Sequence, residues 1–225
     1  MSLPPQRPIS PPTRWMRSHD RLIILTRACD VTNPPPPSRE WLLTHCYQPY
    51  YCEENVWRLC QQPHFMARPR WAVFIANQHR RCALWHQRAA AAGAVVVWDY
   101  HVVMLVTATD GQPLVWDLDC ALGAPLPLHT YLAATFLALP AEYAHFRPYF
   151  RVVDAATLLQ HFSSDRRHMR AADGSYIEPP PRWPPPRGRH APAHSLGRFI
   201  DMSDRFVGEV LNIDQLRQGG VGQCE

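Results

Sequence analysis

Lysine is absent from this chain: all 23 basic residues are arginines, set against 19 acidic ones. Together with abundant alanine and proline, that usage reflects codon bias more than function. The resulting formal charge of +4 is mild over 225 residues. No dense arginine run is interleaved with aromatics, which argues against nucleic acid as a partner. No apolar stretch is long enough to span a bilayer, and the N-terminus lacks the ordered basic, apolar and small-residue regions of a signal peptide, so no membrane partner is expected. The seven cysteines (Cys29, Cys46, Cys52, Cys60, Cys82, Cys120 and Cys224) form no C-x-x-C pair of the kind that holds zinc. Reduced thiols and a cytosolic or nuclear setting are the expectations that follow.

What is present is a globular balance, 46% hydrophobic and 19% charged, at a length that buries most of the surface of one large domain. The 24 prolines gather in a few places. Residues 1–45 carry Pro4-Pro5, Pro11-Pro12 and the run Pro34 to Pro37, broken by the aliphatic patch Leu22 to Leu25. They read as a proline-rich extension, largely disordered or loosely docked, ahead of a domain over residues 46–225. A second proline- and arginine-rich stretch, near 178–192, cannot sustain a helix or a central strand and is expected as a surface excursion.

Between these stretches the periodicities are clearer. Cys52 opens a pattern in which Val56, Leu59 and Cys60 recur at helical spacing, with Glu53 and Glu54 in the first turn where carboxylates suit the dipole, so a helix is predicted from about Cys52 to Gln62. Trp71 to Ile75 and the run Val95 to Ala108 read as buried strands, and Pro113 to Asp119 as the next strand after a turn at Thr109-Asp110-Gly111. Helices are expected near 130–139 and 155–162, with a strand at 149–153 between them. A small strand over Gly197 to Met202 and a helical turn over Asp214 to Gln218 complete the reading. The fold class is α+β, an antiparallel sheet packed against the helix that carries Cys52.

A thiol at a helix start can have its pKa lowered by the peptide dipole, and His101, Asp117 and Asp119 on the following strands could supply a base and a carboxylate to orient it. Each has an inert alternative: a buried small hydrophobe, a hydrogen-bonded core histidine, a strand end entering solvent. Parity decides whether they can meet, because strand residues alternate faces and cross-strand partners share one. A two-residue loop at Asp110-Gly111 pairs His101 with Cys120 and separates it from both aspartates. A three-residue loop, with Gly111 left-handed, pairs Ala108 with Gln112, sets His101 opposite Asp119 and makes Asp117 its diagonal neighbour on the same face. The residues alone do not choose between the aspartates. The chain order of cysteine on a helix, histidine on a strand and carboxylate on the next strand is that of papain-like thiol enzymes.

The runs Tyr51-Cys52-Glu53-Glu54-Asn55-Val56-Trp57, Trp98-Asp99-Tyr100-His101-Val102-Val103, Asp117-Leu118-Asp119 and Ser164-Asp165-Arg166-Arg167-His168-Met169 closely resemble the protein N-terminal glutamine amidohydrolases. The likeness covers roughly Tyr47 to Met202, passing through Gly174 to Pro181 and Phe199-Ile200-Asp201-Met202. It departs at Tyr50, where some members have a second cysteine, and in the insertion around Arg182 to Ala193. The resemblance implies a papain-like or transglutaminase-like fold, with residues 46–225 as the catalytic domain. By motif, Cys52 would be the nucleophile, His101 its base and Asp117 the residue that holds the imidazole. It implies deamidation of N-terminal glutamine in proteins or peptides, without a metal or cofactor, by a monomer feeding the N-degron pathway. Glu53, Glu54, Asp99 and Asp165 are the candidates to meet the substrate α-ammonium. The competing readings are a papain-like peptidase, a transglutaminase, or a noncatalytic protein whose proline segments bind SH3- or WW-type domains.

Overall fold

The computed structural model describes residues 37–218. The chain opens with α1 (Arg39–His45), α2 (Cys52–Leu59) and the short α3 (Pro63–Met66), then runs into β1 (Arg70–Ala76), β2 (Cys82–Trp85), β3 (Val95–Trp98), β4 (Tyr100–Thr107), β5 (Pro113–Trp116) and β6 (Leu126–Pro127). There follow α4 (Leu128–Thr135), β7 (Tyr149–Asp154), α5 (Ala155–His161), α6 (Leu196–Ile200), β8 (Glu209–Leu211) and α7 (Ile213–Arg217), with 3-10 turns at Ala141–Phe146 and Arg167–Met169. No described helix is long and apolar enough to cross a membrane.

Six strands form one antiparallel sheet in the order β6-β5-β4-β1-β7-β8. Its two central strands, β1 and β4, are buried on both faces over most of their length, which is why both read as continuous apolar runs. Alternation then divides the core. Ala72, Phe74, Val102, Met104 and Val106 face α2, α5 and α6, while Val73, Ile75, Val103 and Leu105 face α4 and α7. On the first face Phe74, Phe162 and Phe199 form an aromatic cluster with centroids 4.9–6.0 Å apart. Arg151, on β7, is buried without a carboxylate partner among the described residues. It donates instead to the backbone carbonyls of Phe199, Asp201, Asp204 and Val207. It thereby fastens the segment after α6 to the sheet.

The turn between β4 and β5 has three residues. The Ala108 N–H donates to the Gln112 carbonyl at 2.8 Å, Gly111 has φ 84°, and Met104 faces Trp116. This is the longer of the two loops that parity allowed. The helix at Cys52, the strands at 71–75 and 149–153, and the helices near 130 and 155 are present within a few residues of expectation.

Other expectations are corrected. The run Val95 to Ala108 is two strands: the chain bends at Asp99, and β3 leaves the main sheet to pair with β2, with Val95 and Val97 exposed. Pro113 to Asp119 keeps strand geometry only to Trp116, because residues 117–121 turn toward 86–88 through Arg88 N–H to Asp119 C=O and Ala121 N–H to His86 C=O. Gly197 to Met202 lies largely in α6; the small strand comes later, at β8. α1 falls in the stretch read as extension, yet Leu42 is fully buried in the core and Arg39 Nη2 donates to the Cys120 carbonyl at 2.7 Å. The 178–192 stretch is irregular as expected but not merely superficial. Pro181 and Pro186 are buried, and Gly188 passes so close to Gln160 that a Cβ there would meet its carbonyl oxygen at 2.6 Å. The patch Leu22 to Leu25 lies outside the described residues.

Candidate active site

Cys52 is the first residue of α2, after Tyr51, whose side chain makes no capping bond. Its backbone N–H is therefore one of the donors that a helix start leaves without an intrahelical acceptor. The thiol lies near the start of β4, where the Val102 backbone acts to lower its pKa. His101, immediately before Val102, is buried on the same strand and paired across the ladder with Ile75. Cys52 and His101 line one cavity of about 360 Å³.

The imidazole is held in place. His101 Nε2 lies 3.0 Å from Asp117 Oδ1, and the Trp98 ring stacks against it with 15° between planes. Asp117 is saturated with donors: Oδ1 also accepts from the Asp119 N–H at 3.0 Å, and Oδ2 accepts from Tyr131 Oη at 3.0 Å and Gln87 Nε2 at 3.3 Å. The cluster His101, Asp117 and Asp119 brings its ligand atoms within 4.8 Å of one another. It nonetheless suits a hydrogen-bond relay better than a cation, since four donors occupy Asp117's lone pairs. Burial pushes the Asp117 carboxyl upward, but the charge and hydrogen bond of His101, then Gln87 and the Asp119 amide, outweigh it and leave its pKa below the usual carboxylate range. For His101 burial pulls down, yet Asp117, Asp119 and Glu53 prevail and raise it above the ordinary imidazole value.

Asp119, the other candidate, accepts from the Tyr47 hydroxyl, and burial with the neighbouring Asp117 charge raises its carboxyl. The structure thus couples His101 to Asp117. Cys52 differs from expectation in its electrostatics: burial first, then the charges of Glu53, Asp119 and Asp99, push its pKa well above the free thiol. Those effects override a dipole that an eight-residue helix supplies at its start. Both groups that line the cavity, the Cys52 thiol and the His101 imidazole, are thus shifted upward.

Glu53, directly after the cysteine, is buried. Its Oε2 is 3.7 Å from Cys52 Sγ and accepts from Tyr100 Oη at 3.1 Å, while Oε1 sits 3.3 Å from His168 Nε2. Glu54 is locked away by Arg166, with contacts of 2.7 and 2.8 Å, and by Trp183 Nε1 at 2.9 Å. This is how the proline-rich stretch is tied to α2. Asp165 is engaged by Arg167 and lies 3.3 Å from His194 Nδ1. Of the four carboxylates considered for an α-ammonium, Asp99 alone lines the cavity, which is also walled by Tyr50, Arg80, His168, Glu178 and His194 among others.

Tyr47, Gln87 and Tyr131, which hold the aspartates, were invisible in the sequence because they come from two separate connections and from α4, with no motif spacing. Tyr100 and His168 stood inside recognisable runs, but nothing local marked their contact, Tyr100 Oη to His168 Nε2 at 3.3 Å.

The sequence model of the N-terminal glutamine amidase family matches residues 47–219. A Drosophila melanogaster protein named protein N-terminal glutamine amidohydrolase is 46% identical over 182 residues, 76% of this chain and 86% of the fly protein. The Arabidopsis thaliana protein of the same name is 39% identical over 166 residues, 70% of this chain and 75% of the plant protein. By both the match over most of its length and these relatives, the chain belongs to the N-terminal glutamine amidase family.

Proposed function

We propose that this chain is a thiol hydrolase that converts the side-chain amide of an N-terminal glutamine, in a protein or peptide, to a carboxylate with release of ammonia. The observation that carries the reading is the Asp117-held His101 in the cavity that also exposes Cys52. The names of the relatives supply the substrate.

With Nε2 engaged by Asp117, His101 has Nδ1 free to exchange protons. The Cys52 thiol gives its proton to Nδ1, and the thiolate attacks the carboxamide carbon, forming an S–C bond as the carbonyl electrons move to oxygen. The Cys52 backbone N–H is the donor at hand for that oxyanion. Collapse breaks the C–N bond, and His101 returns the proton to the leaving ammonia. Water, deprotonated by His101, then attacks the thioester, and collapse gives the glutamate carboxylate and the free thiol. Asp117 stabilises the imidazolium formed in each half-reaction.

The raised thiol and raised imidazole are compatible with this cycle, because the proton has a basic acceptor already oriented and charge separates only when substrate is present. A nucleophile at a helix start, a base on an antiparallel strand and a carboxylate just past the end of the next strand support reading the arrangement as papain-like. Such a site works on a reduced thiol, in keeping with a cytosolic or nuclear setting, and the five described cysteines are all free. Its product, an N-terminal glutamate, is a substrate for arginylation in an N-degron route.

The test is to incubate purified protein with Gln-initiated, Asn-initiated and internally Gln-containing peptides, following ammonia and peptide mass, with Cys52→Ala in parallel. Ammonia from the Gln-initiated peptide alone, with no activity in the variant, is expected. Cleaved fragments or cross-linking to an amine would instead indicate a peptidase or a transglutaminase, and conversion by Cys52→Ala would remove the thiol mechanism.

A further inference from the structure

We infer that Asp99 is the specificity carboxylate of this site, the group that receives the free α-ammonium of the substrate's first residue; the inference rests on the amidohydrolase reading above. An enzyme that distinguishes an N-terminal glutamine from an internal one must sense a positive charge a fixed distance from the reacting amide. The α-nitrogen of glutamine is four bonds from the side-chain carbonyl carbon, a span of about 5 Å when extended, from the usual bond lengths. Asp99 precedes His101 by two residues, so chain reach alone keeps their Cα atoms within about 7 Å. Both residues also line the same cavity, so one substrate seated there can meet them together.

The surroundings single it out. Three carboxylates line the cavity: Asp99, Asp119 and Glu178. Asp119 is taken by Tyr47 and mostly buried beside Asp117. Asp99 is exposed at the cavity wall, and its one described hydrogen bond is from the Tyr100 backbone N–H to Oδ1 at 3.0 Å. That bond fixes one oxygen and leaves the other without a described hydrogen bond. No described cation pairs with it, although Arg80 lines the same cavity. Glu178 faces the cavity from a different segment, distant in the chain from His101, whereas Asp99 is two residues from it and its charge acts on the Cys52 sulfur. Its position is structural too: the bend at Asp99, where the chain passes from β3 to β4, turns a residue that would otherwise lie within a strand into a cavity-wall residue.

A consequence follows for the nucleophile. Asp99 is one of the anions that raise the Cys52 pKa, so an ammonium bound to it would offset part of that effect when a substrate with a free N-terminus is in place.

The test compares wild type, Asp99→Asn, Asp99→Glu and Glu178→Gln on a Gln-initiated peptide and its Nα-acetylated form, with Cys52 alkylation by iodoacetamide as a second readout. Asp99→Asn should lose tenfold to a hundredfold in kcat/KM on the free peptide, the range for a charge-assisted hydrogen bond, chiefly through KM. It should lose far less on the acetylated one, so that discrimination collapses. Asp99→Glu should recover part of it. Alkylation of Asp99→Asn should be undiminished, which a distorted site would not allow. Wild-type discrimination retained in Asp99→Asn, or the loss found in Glu178→Gln instead, overturns the assignment. Failure of wild type to deamidate either peptide would overturn the reaction itself and is visible before any variant is compared.

Discussion

His101 hydrogen-bonds Asp117, although the hairpin count sets it opposite Asp119. Strand pairing between β4 and β5 ends at Met104 and Trp116, and beyond it residues 117–121 swing toward 86–88. That departure delivers Asp119 to Tyr47 and leaves the diagonal residue, Asp117, beneath the imidazole.

The two aspartates should therefore separate in kinetics. Asp117→Asn is expected to lower kcat by about 10³ to 10⁴-fold, the scale for a residue that fixes an imidazole's tautomer and charge. Asp119→Asn should cost far less. Steady-state deamidation of a Gln-initiated peptide, with circular dichroism to confirm folding, measures both.

Glu53 presses a negative charge against the thiol, with Oε2 3.7 Å from Cys52 Sγ. Removing that charge lowers the thiol's pKa, because an anion nearby disfavours a second one. In Glu53→Gln the pH profile of Cys52 alkylation should move to lower pH than in wild type. A shift in the opposite sense would contradict the electrostatic account.

The His101–Asp117 pair also makes stability depend on pH from both sides. Asp117's carboxyl is depressed in the folded state, so its contribution is present above the unfolded carboxylate value, about 3.9, and lost as pH falls through the folded one. His101 is raised, so its contribution is complete below about 6.5 and lost as pH rises through its folded value. Urea unfolding across the pH range should show both declines in wild type, and both flattened in Asp117→Asn.

Arg166 is nearly buried against a fully buried Glu54. Glu54→Ala would strand that cation under Trp183, with an expected cost of about 3–5 kcal/mol. Glu54→Gln, which keeps acceptor and volume, should cost less. Denaturant midpoints compare them, and equal effects would mean that packing, not charge, sets the loss.

Gly111 tests the turn. A Cβ there would meet nothing within 4 Å, so the penalty of Gly111→Ala is conformational, from φ 84°. About 1–2 kcal/mol is expected, the usual cost of a left-handed alanine. A near-zero change in unfolding free energy would mean that the loop readily adopts another form.

Much of this protein could be read from residue order. Cys52 with Val56 and Leu59 announced an amphipathic helix and Trp71 to Ile75 a buried strand, because each is governed by contacts a few residues long, while glycine at position 111 permitted, without choosing, the three-residue loop that sets His101 and the aspartates on one face. The sequence motifs also carried the family. Other features depended on distant partners. By alternation His101 sides with Val103 and Leu105 on the α4 face, whereas Cys52 comes from α2 on the opposite face, and they meet only where β4 begins. The choice of Asp117 over Asp119 depended on where β5 stops pairing and on Tyr47, Gln87 and Tyr131, three side chains with no spacing to betray them. The thiol's pKa was likewise set in three dimensions: a helix start favours thiolate, but burial beside Glu53, Asp119 and Asp99 outweighs it, since the cost of an ion depends on everything packed around it.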